Sequence, residues 1–201
     1  MVLEAYAPAE RRRLVALAGH DGDEAVAREG LAEEDGAVRA TALGALARLG
    51  GLQDVDLRAA LGDPDPVTRR RAAELAATRP AVGLTSTLLG DEEPLVVEAA
   101  CWAAGEREHD PEAGIAAVLS EVAGSHEDPL CREAAVAALG ALGLDEGLPA
   151  ILAATTDKPA VRRWAVLALA PFDGPEVTAA LEKALEDRDL QVRQAAEDLL
   201  E

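Results

Sequence analysis

Apolar residues return along this chain in short blocks of helical period, each broken by an acidic turn and reopened by Val-Arg or a near equivalent. The turns read Glu34-Asp35-Gly36-Ala37-Val38-Arg39, Asp63-Pro64-Asp65-Pro66-Val67-Thr68-Arg69 and Asp91-Glu92-Glu93-Pro94-Leu95-Val96. They continue as Glu127-Asp128-Pro129-Leu130-Cys131-Arg132, Asp157-Lys158-Pro159-Ala160-Val161-Arg162 and Asp187-Arg188-Asp189-Leu190-Gln191-Val192-Arg193. Anchored on Val38, Thr68, Val96, Cys131, Val161 and Val192, the phrase recurs at steps of 30, 28, 35, 30 and 31 residues. Four residues after the anchor stands alanine in every case: Ala42, Ala72, Ala100, Ala135, Ala165 and Ala196. Seven after it stand Ala45, Leu75, Ala103, Ala138, Ala168 and Leu199. Steps of zero, four and seven mark one face of a helix, and its small residues let neighbouring helices approach closely. A second apolar block precedes each turn, over 24–32, 55–61, 84–89, 112–122, 146–154 and 176–185. Each repeat therefore predicts two helices. A period in this range predicts a solenoid, in which no repeat buries its apolar face alone.

The turns carry their own logic. Pro66, Pro94, Pro129 and Pro159 sit two residues before the anchor, where a starting helix lacks N–H partners anyway. Asp63, Asp91 and Asp187, five before it, can cap the second helix or its turn. Arginine follows the anchor at Arg39, Arg69, Arg132, Arg162 and Arg193, so stacked repeats predict an Asp–Arg ladder. Val97 interrupts that row and predicts a looser joint in the third repeat. The segment from Pro8 to Ala18 reads as an N-terminal capping helix with Arg11, Arg12 and Arg13 on a solvated face. One repeat domain is expected over 1–201: a cap over 1–19, then repeats over about 20–50, 51–79, 80–107, 108–143, 144–172 and 173–201. The step of 35 residues places an irregular bend between the third and fourth repeats, near His109 and His126.

Composition sharpens this picture. Residues are 49% apolar but only 2% aromatic, so the core must be built from Ala, Leu and Val, which argues for an all-α chain. Acidic side chains outnumber basic ones 38 to 19, a net charge of −19. That charge repels nucleic-acid phosphate and acidic membrane surfaces and leaves a basic protein partner open. It also keeps an elongated surface soluble. No apolar run reaches the roughly 20 residues of a membrane span, and Glu4 stands where a signal peptide would be charged and then greasy. A cytoplasmic protein is expected, with Cys101 and Cys131 as buried thiols rather than a disulfide framework.

The phrase Asp-Pro-Asp-Pro-x-Thr-Arg-x-x-Ala-Ala over 63–73, with its relatives, resembles HEAT repeats of the short bacterial kind also found in phycobilisome lyases. The resemblance covers about residues 20–201. It implies a right-handed α-solenoid of about six two-helix repeats, with the second helices lining a concave surface that binds other macromolecules. Enzymatic HEAT relatives can be tested against residues. The deoxyhypusine hydroxylase branch holds iron through His-Glu pairs at the start of second helices. Here those slots are Arg39-Ala40, Arg69-Arg70, Val97-Glu98, Arg132-Glu133, Arg162-Arg163 and Arg193-Gln194, none with His. The single His-Glu pair, His126-Glu127, falls in a turn, and His20 and His109 complete no ligand spacing. HEAT-like DNA glycosylases use a basic groove lined with aromatics, the opposite of this charge. The acidic turns lack EF-hand spacing, and helix capping accounts for most of their carboxylates. No catalytic, metal or cofactor-binding residue is assigned.

The binding residues follow from helical phase. With the anchor face turned inward, positions three and six after the anchor point outward. Those positions hold Trp102 and Trp164, with Ala134 and Ala137 between them and Leu167 beyond. A trough with an alanine floor and tryptophan walls results, the walls roughly 20 Å apart at the usual helix spacing. Arg70, Arg71 and Arg163 would form its polar rim, since Trp and Arg dominate interface energetics. The competing reading is that the tryptophans pack. The function expected is a non-catalytic scaffold or adaptor that grips a protein segment, basic or helical, in this groove. Two alternatives stand beside it: an accessory lyase of the phycobilisome type with a small ligand, and a structural module whose ends make the contacts. The sequence leaves the oligomeric state open.

Overall fold

The computed structural model describes residues 3–83, 86–107, 111 and 113–200. His109 and part of the expected bend lie outside these residues. The chain divides into two compact units, one through Gly83 and one from Leu84. Every regular element described is helical, as the sequence predicts.

The first unit holds α1 (Pro8–Asp21), α2 (Glu24–Glu29, continued by a 3-10 turn Gly30–Ala32), α3 (Gly36–Leu49), α4 (Asp54–Leu61) and α5 (Pro66–Ala76). The second holds α6 (Ser86–Leu89), α7 (Pro94–Gly105), α8 (Ile115–Ser125), α9 (Pro129–Leu142), α10 (Leu148–Ala154), α11 (Pro159–Leu167), α12 (Pro175–Ala184) and α13 (Leu190–Leu200). Within each unit the second helices of successive repeats stack on one another, α1 on α3 on α5, and α7 on α9 on α11 on α13. The first helices pack beside them as a second layer.

The anchors and the alanines four residues on are fully buried in all six repeats. A further buried stripe, five and eight residues after the anchor, carries Leu43 and Leu46, Val136 and Leu139, and Val166 and Leu169. The second helices thus bury two adjacent stripes, one wider than the zero, four and seven positions alone. Small residues set the spacing. A Cβ on Gly105 would lie 3.1 Å from Ala138 Cα, and one on Gly140 would lie 2.6 Å from Ala168 Cα. Gly19 in α1 meets Ala45 in the same way, at 2.9 Å. All three glycines occupy equivalent places in their helices, so α1 is packed as the second helix of a half repeat.

The turns explain the phrase. The prolines at 66, 94, 129 and 159 open their helices. The helix cap itself is the residue three before the anchor: Asp35, Asp65 and Asp128 accept from the N–H two residues on. Asp63, Asp91 and Asp187 cap the turn instead, accepting from Asp65, Glu93 and Asp189 N–H. Three of the expected Arg–Asp rungs are bidentate. Arg39 donates Nε and Nη2 to Asp63 at 2.8 and 2.6 Å, Arg132 to Asp157 at 2.7 and 2.9 Å, and Arg162 to Asp187 at 2.8 and 2.7 Å. Each of these arginines also donates Nη1 to carbonyls of its own turn. A rung therefore ties one turn internally and then joins it to the next repeat.

Arg11 departs from the solvated role expected of it. Its Nη1 donates to Glu33 at 2.6 Å, while Nε and Nη2 hold the Tyr6 and Glu4 carbonyls, so it forms the first rung of the ladder. Chain phase hid this, because no acidic turn precedes α1 in the repeating form. At the joint expected to be loose, Val97 is buried and the following turn has His126 at the place that Asp63, Asp91 and Asp187 hold in theirs. His126 Nδ1 accepts from Asp128 N–H at 3.1 Å, keeping the turn cap without a carboxylate. Cys131 Sγ donates to Pro94 O at 3.3 Å, as Thr68 Oγ1 donates to Gly36 O at 3.0 Å. With the approach of Gly105 to Ala138, packing and this bond close the joint where a rung would stand.

Candidate functional site

Two surfaces are built from the same helical positions, one in each unit. Residues one before, three after and six after an anchor are a helix turn apart and share a face. In the second unit they read Leu95, Ala99 and Trp102 on α7, then Leu130, Ala134 and Ala137 on α9, then Ala160, Trp164 and Leu167 on α11. Trp102 is 49% exposed, with Leu95 at 50% and Leu130 at 53%. Ala134, Ala137, Trp164 and Leu167 are half-buried. Arg163 is exposed and places its guanidinium carbon 5.9 Å from the Trp164 ring centre, within range of a cation–π contact. Six of the eight residues expected to form the groove therefore lie on the open side of α7, α9 and α11. Arg70 and Arg71 belong to α5 in the other unit.

Leu95 and Leu130 belong to this face and the sequence reading passed them over. The signal was available: each stands seven residues before Trp102 or Ala137, on the same stripe. They were missed because the phrase placed them inside the turn, where apolar residues carry no periodicity.

In the first unit the same positions read Ala37, Thr41 and Gly44 on α3, and Val67, Arg71 and Glu74 on α5. With Arg12, Ala16 and His20 of α1 and Arg48 of α3 they line a groove of about 370 Å³. Its floor is small and its walls are basic. Arg71 pairs with Glu74 at 2.8 Å and Arg70 with the same carboxylate at 3.3 Å. Arg12 and Arg48 are exposed and make no ion pair among the described residues.

Electrostatics elsewhere serve the ladder. The bidentate bond from Arg132 holds the Asp157 carboxyl below its ordinary range, and Arg162 does the same for Asp187. Burial works against ionisation of Asp63, and the bonds from Arg39 and the Asp65 N–H outweigh it. Burial pushes the Cys131 thiol up to about 11 and the Cys101 thiol higher still, so both are neutral packing groups. Among the described residues no three His, Cys, Asp or Glu side chains converge as a metal site requires. No described helix is long and apolar enough to cross a membrane.

Comparison with known proteins agrees with this architecture. The chain is similar to the solved structure of YibA from Escherichia coli, with a TM-score of 0.69 and 18% identity over 97% of this chain and 76% of that one. It is also similar to human deoxyhypusine hydroxylase in complex with glycerol, with a TM-score of 0.50 and 19% identity over 98% and 80% of the two chains. At these identities the likeness is one of fold. No curated protein matches the sequence. The family model described as HEAT repeats matches residues 81–159 and 116–201, more than half of the chain, and this chain belongs to the HEAT-repeat family.

Proposed function

We propose that this protein is a non-catalytic scaffold that holds a protein segment on the open face of α7, α9 and α11. The observation that carries the reading is Trp102, half-exposed beside Leu95 and in register with Leu130, in a chain with only two tryptophans. Apolar side chains of this size scattered singly need no explanation, but a contiguous stripe across three helices marks an interaction surface. The alanine floor on α9 gives a bound segment room to lie flat between the larger side chains of α7 and α11. Residues 84–201 hold 24 acidic and 8 basic side chains. A helical segment with one apolar face and basic flanks fits both features: its apolar side would meet the stripe and its flanks the acidic surround.

The test compares wild type with a Trp102→Ala, Trp164→Ala double variant whose helicity is verified by circular dichroism. Partners captured from native lysate by each are identified by mass spectrometry, then titrated while the intrinsic tryptophan emission of the wild type is followed. A partner held by wild type, lost by the variant and shifting the emission to the blue is expected. Equal capture by both, with emission unchanged on titration, would remove the tryptophan face as the binding surface.

A further inference from the structure

The basic groove of the first unit is unlike the rest of the molecule. Four arginines, Arg12, Arg48, Arg70 and Arg71, line it against one carboxylate, Glu74, in a chain that carries a net charge of −19. Glu74 engages both Arg70 and Arg71, so it satisfies one pair of donors and leaves the cluster with an excess of three positive charges. Arg12 and Arg48 have no anionic partner among the described residues, whereas the ladder arginines are all paired in the described rungs. Arg11, Arg39, Arg132 and Arg162 each find a carboxylate of the next turn. Arg12 and Arg48 do not, although the chain has carboxylates to spare.

The floor is shaped for them. Arg71 lies over Gly44, where a Cβ would come within 3.0 Å of its Nη2. Arg48 lies over Gly19, where a Cβ would meet its Nη1 at 2.7 Å. In both places a second helix sets an arginine across a glycine of the helix before it. The guanidinium groups thereby lie along the groove wall; Arg71 gives Nη1 to Glu74, while Arg48 keeps its donors for a planar acceptor.

We propose that this groove binds a short acidic protein segment, its Asp or Glu carboxylates received by Arg12, Arg48 and the outer edges of Arg70 and Arg71. A volume of about 370 Å³ lies within the range of ligand-binding clefts and suits a few residues of extended chain. A nucleic acid fits less well. Its charge continues, at about one phosphate every 3.4 Å along each strand of a duplex, past the groove and onto the acidic turns at Glu34, Asp35 and Asp65 of the same unit. A short acidic segment confines its charge to the basic walls. This site is separate from the tryptophan stripe and of opposite charge, so each can fail without the other.

The experiment measures fluorescence anisotropy of a fluorescein-labelled peptide rich in Glu and Asp against the full chain. Competitors are the same acidic peptide unlabelled and a single-stranded oligonucleotide. The expected result is binding that weakens with added salt, is displaced by the unlabelled peptide and not by the oligonucleotide, and is lost by roughly tenfold or more in an Arg12→Gln, Arg48→Gln variant. Both side chains are exposed and unpaired, so that variant keeps the fold, checked by its unchanged thermal midpoint. The Trp102→Ala, Trp164→Ala variant should bind the acidic peptide as wild type does. Absence of peptide binding to wild type, equal binding by the glutamine variant, or tighter binding of the oligonucleotide would each overturn the proposal.

Discussion

The two units of this protein share their buried positions and differ in what they leave open. Both bury an anchor, an alanine four residues on and a second stripe behind them, and both join turns by bidentate Arg–Asp rungs, Arg39 with Asp63 in one and Arg162 with Asp187 in the other. Their open faces diverge at equivalent positions. Where α5 has Val67, Arg71 and Glu74, α7 has Leu95 and Trp102 exposed with a buried Ala99 between them. The charge divides in the same way: residues 1–83 hold 14 acidic and 11 basic side chains, against 24 and 8 in residues 84–201. Packing between repeats fixes the inward residues at every period and places no demand on the outward ones. One architecture can then present a basic groove on one unit and an apolar stripe in acidic surroundings on the other.

The largest expected effect tests what the units share. Arg162→Ala leaves the Asp187 carboxylate without its cation and the Asp157 carbonyl without its donor, and should cost about 3 kcal/mol in denaturant unfolding. Arg39→Ala should cost a similar amount, and a cost confined to one unit would break the equivalence. The rungs also set a pH response. Asp63, Asp157 and Asp187 have folded values below the unfolded carboxylate value of about 3.9, so their contribution is full above that value. It is lost as pH falls through the lower folded values, and the two alanine variants should show a correspondingly flatter acid limb.

A smaller effect concerns the one place where the second unit departs from its own pattern. Val97 and His126 replace the Arg and Asp of a rung together. Val97→Arg alone buries an unpaired guanidinium, and His126→Asp alone adds a carboxylate without a cation. The double variant should recover about 1–2 kcal/mol relative to the sum of the single ones in a double-mutant cycle. Additivity would mean that the backbone at this joint, rather than the choice of residues, prevents a rung. The smallest effect follows from the charge division. Added salt screens like-charge repulsion over about 10 Å at 0.1 M, so hydrogen exchange should slow more in residues 86–200 than in 3–83. Equal slowing would show that local ion pairs, not the net charge, govern the difference.

Much of the fold was legible in advance because burial in a repeat protein is periodic. The alanines at 42, 72, 100, 135, 165 and 196, the helix-opening prolines and the Arg–Asp ladder could all be located from spacing, since each answers to a local or nearest-neighbour demand. The open side of α7, α9 and α11 was legible for the same reason, from the phase of Trp102, Ala134, Ala137, Trp164 and Leu167. What escaped was whatever fell outside the repeating phrase. Arg11 became a rung because Glu33 reaches it across 22 residues. Arg70 and Arg71 lie with Arg12 and Arg48 in a groove of the first unit, because α1 packs as a second helix.

The sequence by itself determined the helical period, the capping chemistry and the face that carries the buried anchors and alanines of each second helix. Those follow from the 3.6-residue turn, the missing N–H of proline and the size of alanine, all local properties. Only the tertiary structure decided that Arg11 joins the ladder while Arg12, Arg48, Arg70 and Arg71 are left to face one groove. That choice depends on which carboxylates and glycines are carried past one another when helices stack at van der Waals distance, and no spacing along the chain records it.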